Sequence, residues 1–240
     1  RRQYTEEVAA VCQAALDSGV EEVVVNDFHG VGRNLLTEKL PKSVLVIQGD
    51  FRPSSGFDFL DNSYGGLVLL GAHARSGSRE TVLPHTYSSQ LQFELFGQPV
   101  GEFDILSLLA GENKVPTILI SGDSKMLEQA RTNLPSTHMV MTKMGIGSGA
   151  ALCLHPAHVL ESLADETKRA VKNAGNIEPP QIVPPIQMKI RVASVQLGER
   201  IEWIPQLKRI DELSFEFVGE NMQQIARLVY GITTLAGSLK

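Results

Sequence analysis

Residues 66–77, GLVLLGAHARSG, decide how this chain is read. Leu67-Val68-Leu69-Leu70 is a continuous apolar run, long enough for a strand buried on both faces and too short for a lone helix. Gly71 ends the run, and His73 and Arg75 follow at once. A polar loop then carries a second histidine, His85, and Glu102 opens the next helical pattern. A buried strand that empties into His, Arg, His and Glu is how an open α/β sheet builds a site at its carboxyl edge.

The same unit recurs on either side. Val23-Val24-Val25 is a short apolar strand ending in Asn26-Asp27-Phe28-His29-Gly30, and Ser43–Ile47 is another, closed by Gly49-Asp50. Thr117–Ile120 leads through Ser121-Gly122-Asp123 into a helix over 124–133, and Met139-Val140-Met141 is the next strand. Helices fill the intervals. Thr5 with Glu6 and Glu7 reads as a cap and acidic first turn for a helix that Gly19 stops, and Glu102–Ala110 is a helix ended by Gly111. Strands alternating with helices in this way predict an α/β fold with a mostly parallel sheet flanked by helices.

Two stretches read differently. Leu91, Phe93 and Leu95 alternate with Gln90, Gln92 and Glu94, which predicts a half-exposed antiparallel strand turned back by Gly97-Gln98-Pro99. Beyond a stiff linker, Glu178-Pro179-Pro180 to Pro184-Pro185, the 186–192 and 213–217 segments alternate in the same way, and a final helix presents Ile225, Leu228, Val229, Ile232 and Leu235 on one face. The expected organisation is an α/β metal-site region over 1–177 and a small antiparallel α+β appendage over 178–240. Residues 51–65 are read as loop with one helical turn.

With 240 residues, 42% hydrophobic and 20% charged, this is an ordinary globular composition. The net charge of −5 and scattered basic residues argue against a nucleic-acid surface. No apolar stretch is long enough to span a bilayer as a helix, and no membrane association is expected. Cys12 and Cys153 read as buried free thiols, which favours a reducing cytoplasm.

Of six histidines, His138, His155 and His158 read as structural or solvent-exposed, whereas His29, His73 and His85 follow strands or lie in the loop beyond one. Two or three imidazoles with a carboxylate suit Zn²⁺ or a neighbouring divalent metal, and hydrogen bonds from those imidazoles to loop backbone are the plain alternative. Arg75 can clamp a carboxylate or pair with an acidic neighbour. Asp27 and Asp50 read as caps or turn residues. Gly145-Ile146-Gly147-Ser148-Gly149 suggests a phosphate loop but has neither GxGxxG spacing nor a GK[ST] ending.

VVVNDFHG, GLVLLGAHARSG, LPHTYSS, GQPVGE and ILISGDS, in this order and at these intervals, closely resemble the DppA-type zinc D-aminopeptidases. The resemblance runs from the first helix to about Pro156. It implies a self-compartmentalising homo-oligomer, a decameric pair of rings, acting on short peptides with two zinc ions per subunit. It implies metal ligation by His29, His73 and Glu102 and a catalytic role for His85, here preceded by a loop one residue longer. In the family the first strand carries an Asp-x-Glu pair that completes the metal sites. This chain begins after that strand, so the expectation is that the strand is missing from the sequence. Leu106 stands where the family pattern calls for a polar Asn. An alternative is a catalytically silent oligomeric scaffold that keeps the fold without the metals.

Overall fold

The computed structural model describes residues 1–50, 52 and 57–238. Part of the helical turn expected over 51–65 lies outside the described residues, and those described there form turns and loop.

The chain opens with α1 (Arg2–Asp17). This helix starts earlier than its cap signal suggested. Thr5 is inside it and fully buried, its hydroxyl donating to the Arg1 carbonyl and accepting from Leu36 N–H at 3.1 Å. β1 (Val24–Asn26) and β2 (Leu45–Ile47) pair in parallel, with a one-turn 3₁₀ helix (Thr37–Lys39) between them.

β3 (Leu67–Ala72), β6 (Thr117–Asp123) and β7 (His138–Gly147) form a parallel sheet that β8 (Ala150–Cys153) extends antiparallel, in the order β3-β6-β7-β8. α1 and α4 (Pro156–Asn173) pack together on one face, and α2 (Glu102–Glu112) and α3 (Ser124–Asn133) cover the other. This is the expected doubly covered, mainly parallel architecture.

The antiparallel part is a five-stranded sheet in the order β10-β11-β9-β4-β5. β4 (Leu91–Leu95) and β5 (Gln98–Val100) come from the middle of the chain, while β9 (Ile186–Val192), β10 (Lys208–Arg209) and β11 (Ser214–Gly219) come from its end. The alternation in β4 is real: Leu91, Phe93 and Leu95 are buried and Gln92 is exposed. They join Ile186, Met188, Ile190 and Phe215 in the largest core, closed by α5 (Val195–Ile201) and α6 (Met222–Gly237). No helix among the described residues is long and apolar enough to cross a membrane.

Four expectations are corrected. The β4–β5 turn is Phe96-Gly97, with both residues at positive φ (52° and 76°), and Gln98-Pro99 already belongs to β5. Gly111 does not end α2, which runs to Glu112; the linker packs on Gly111 so closely that a Cβ there would sit 2.7 Å from the Pro180 carbonyl oxygen. Cys153 is exposed on β8, while Cys12 is buried as expected, and burial pushes its thiol up to about 11. Finally, β1 and β3 are only half buried, whereas β6 is buried along its whole length. Among the described residues β1 pairs with β2 alone and β3 with β6 alone, so each lies at an edge of its sheet.

Candidate metal centre

The residues just beyond the carboxyl end of β3 meet the N-terminus of α2, and the chemistry gathers there. Gly71 has a φ of 71°, a conformation that glycine adopts without a Cβ penalty, and His73 follows two residues later. Gly101 enters α2 extended, its N–H bonded to Asp104 Oδ2 at 2.7 Å, which leaves Glu102 at the first helical position. The α2 dipole favours a carboxylate at that position. Asp104 also accepts from Asn133 Nδ2 at 2.8 Å, and burial pushes its carboxyl up to about 6.

His73 Nε2 lies 3.5 Å from Glu102 Oε1, and His85 Nε2 lies 3.8 Å from the same oxygen. The two imidazoles stack with centroids 4.2 Å apart and planes 24° from parallel. One donor atom from each of the three residues lies within 4.8 Å of the others, and among the described residues this is the one such group. All three side chains keep about a fifth of their surface accessible.

What holds the rings decides what they can do. His85 Nδ1 is 2.7 Å from the Leu83 carbonyl oxygen, and His73 Nδ1 is 3.3 Å from that of Ala74. A carbonyl oxygen only accepts, so in each neutral ring Nδ1 carries the proton and Nε2 keeps its lone pair facing Glu102. Glu102 Oε1 in turn accepts from Tyr87 N–H at 2.6 Å. Burial first, and the Glu102 charge second, push the Tyr87 phenol well above its ordinary range. Imidazole nitrogens and a carboxylate oxygen, pre-aimed from the backbone, are the donor types of a zinc site, and the cluster has room for a ligand pair with a third group beside it.

His29 is exposed on the turn after β1 and is not one of the three clustered residues. Its neighbourhood does reach the site, because the Phe28 ring meets Tyr87 edge-on at 6.3 Å. The turn itself is built by Asp27, fully buried, which accepts from the Asn34 and Leu35 N–H groups, Asn34 Nδ2 and Gln48 Nε2. Burial alone would raise this carboxyl, but those bonds hold it below the usual carboxylate range. Arg52 adds bonds to the Asp27 and Gly49 carbonyls and to Asn26 Oδ1. Arg75 donates its backbone N–H to Gln129 Oε1 and offsets the Asp104 charge.

Asp27 is the turn residue that it reads as in the sequence, whereas Tyr87 and the backbone carbonyls behind both histidines carry no sequence signal. The alternation and strand signals carry no information on such contacts. Of the other histidines, His138 bonds Glu166 Oε1 at 2.6 Å and His155 caps α4. Gly145–Gly149 spans the end of β7 and the β7–β8 turn, so it is hairpin, not a loop opening a helix. Two surface grooves run beside α3 and the His138 end of β7, away from the three clustered residues.

Comparison with known proteins fits this geometry. The model of a family described as D-aminopeptidase matches residues 1–230. A D-aminopeptidase from Bacillus subtilis (strain 168) is 32% identical over 200 residues, covering 83% of this chain and 72% of the relative. A solved structure described as "Zn-dependent D-aminopeptidase DppA from Bacillus subtilis, a self-compartmentalizing protease" superposes with a TM-score of 0.93 at 28% sequence identity, covering 97% of this chain and 85% of that one.

Proposed function

The chain belongs to the D-aminopeptidase family, and on that premise we propose that it is a zinc-dependent aminopeptidase. It removes the N-terminal residue of short peptides or aminoacyl amides and prefers D-residues. The observation that carries the proposal is the convergence of His73 Nε2 and His85 Nε2 on Glu102 Oε1.

In this reading His73 and Glu102 hold zinc and His85 is the catalytic group beside it. Bound zinc supplies Lewis acidity and brings the pKa of a coordinated water toward neutrality. The chain's own part is positioning and proton transfer. The Leu83 carbonyl keeps the His85 proton on Nδ1, so Nε2 is free to take a proton from an attacking water and return it to the leaving amine. Tyr87 N–H holds Glu102 Oε1 in place.

The count of two zinc ions per subunit asks for more ligands than this cluster contains. His29 is proposed as one of them. β1 and β3 each have an unpaired edge among the described residues, and Val25 and Leu70 pack against the same hydrophobic cluster. The two free thiols suit a reducing, cytoplasmic setting. Homo-oligomerisation into a decameric ring pair completes the proposal, supported by the self-compartmentalizing character of the similar structure.

The test is zinc analysis joined to a panel of D- and L-aminoacyl amides. Bound zinc and faster hydrolysis of the D-series are expected. A protein that stays metal-free under zinc-replete conditions and cleaves neither series overturns the proposal.

A further inference from the structure

The loop between β3 and β4 presents His85, and its middle is held at two points, from β6 and from β7, by residues that the peptidase reading leaves without a task. On the sheet side, Thr81 Oγ1 donates to Asp123 Oδ2 at 2.7 Å, and both residues are buried. The other Asp123 oxygen accepts from the N–H groups of Lys125 and Met126 at the start of α3, so the carboxylate is fixed by the helix independently of the loop. From the neighbouring strand, Gly145 of β7 packs so closely that a Cβ there would sit 2.4 Å from Thr81 Cα and 2.7 Å from the Glu80 carbonyl oxygen. The Ser148 carbonyl accepts from Leu83 N–H at 3.0 Å.

The clasped segment is strained. Glu80 and Leu83 both have positive φ, 58° and 53°, in the left-handed region that side chains disfavour. Such residues persist where their surroundings over-determine the backbone, and they cluster at functional sites. Leu83 is also the residue whose carbonyl holds His85 Nδ1. An unbroken path therefore runs from Asp123 through Thr81 and Leu83 to the imidazole.

We infer that Thr81 and Gly145 are positioning residues for His85. Thr81 supplies a buried hydroxyl and Gly145 a close approach that no side chain permits. Together they fix Leu83 in the conformation that turns its carbonyl onto Nδ1 and aims Nε2 at Glu102. That this aim serves catalysis rests on the function proposed above; the clasp does not. The glycine-rich hairpin thereby acquires a use that needs no phosphate.

The experiment compares Thr81→Val, Thr81→Ser and Gly145→Ala in the full chain. In Thr81→Val and Gly145→Ala the amides of residues 80–87 exchange at least about tenfold faster with solvent, while those of β6 stay protected. With D-aminoacyl amides, kcat falls about 10²-fold and KM stays within about twofold, because a displaced group costs rate more than binding. Thr81→Ser, which keeps the hydroxyl, restores both. Loop exchange at the wild-type rate in the two variants, or a Thr81→Ser protein no better than Thr81→Val, overturns the inference. If Thr81→Val does not fold, Gly145→Ala decides through the β7 contact alone. A wild-type protein that hydrolyses no aminoacyl amide defeats the functional proposal instead, and the exchange comparison still decides the clasp.

Discussion

β3 and β6 are neighbours of similar composition, and they end in different states. Thr117–Asp123 is buried at every position, with β3 on one side, β7 on the other and helices over both faces. Leu67–Ala72 has β6 on one side only, and its apolar residues remain half exposed. The apolar run therefore specifies an environment that β6 obtains in full and β3 only in part. The site also divides. His73, just beyond β3, and His85 converge on one carboxylate oxygen at the start of α2, while His29, just beyond β1, faces solvent.

The largest effect that this contrast predicts concerns chemistry. His73→Ala is expected to lower zinc loading and to reduce kcat/KM at least about 10³-fold with the fold intact; elemental analysis and steady-state kinetics check it. His29→Ala is expected to act more weakly on the His73–Glu102 site, leaving one zinc per chain in place of two by elemental analysis.

Stability should show the same asymmetry. Ile120→Ala, in the fully buried strand, is expected to cost about 2–5 kcal/mol in urea unfolding, and Leu69→Ala, in the half-exposed one, roughly half as much or less. Equal costs would mean that the two strands are packed alike. Asp27→Asn should cost about 1.5–3 kcal/mol near neutral pH, since it breaks charge-assisted bonds in the turn that carries His29. The sign with pH follows from the lowered folded-state pKa. That stabilisation is present above the unfolded value of about 3.9 and is lost as pH falls through the lower folded value, so the wild-type advantage should shrink in acid. The smallest effect is a labelling pattern. An alkylating thiol reagent should modify the exposed Cys153 in the native protein and reach Cys12 only on unfolding.

Period-two alternation made β4 and β9 legible, because each side chain's face follows from its position alone. The strand-then-helix rhythm gave the parallel sheet, and the order of short motifs brought His73, His85 and Glu102 forward together. Local signals failed where a distant segment decided the outcome. Thr5 looks like a cap until Leu36 N–H, 31 positions away, claims its hydroxyl. Gly111 looks like a stop until Pro180 is packed on it. Phe96 at positive φ goes against an aromatic residue's preference, so the local signal points to a turn that starts one residue later than the real one. The Thr81–Asp123 bond spans 42 positions, and neither residue carries a local mark of it. The half-exposure of β3 depends on which strands flank it, which no window around Leu67–Leu70 contains.

The most direct test is an anomalous difference map at the zinc edge from a crystal of the zinc-loaded protein. The account predicts a peak about 2.0–2.2 Å from both His73 Nε2 and a Glu102 carboxylate oxygen, beside His85. A map with no peak there, or with zinc held only by other residues, contradicts it.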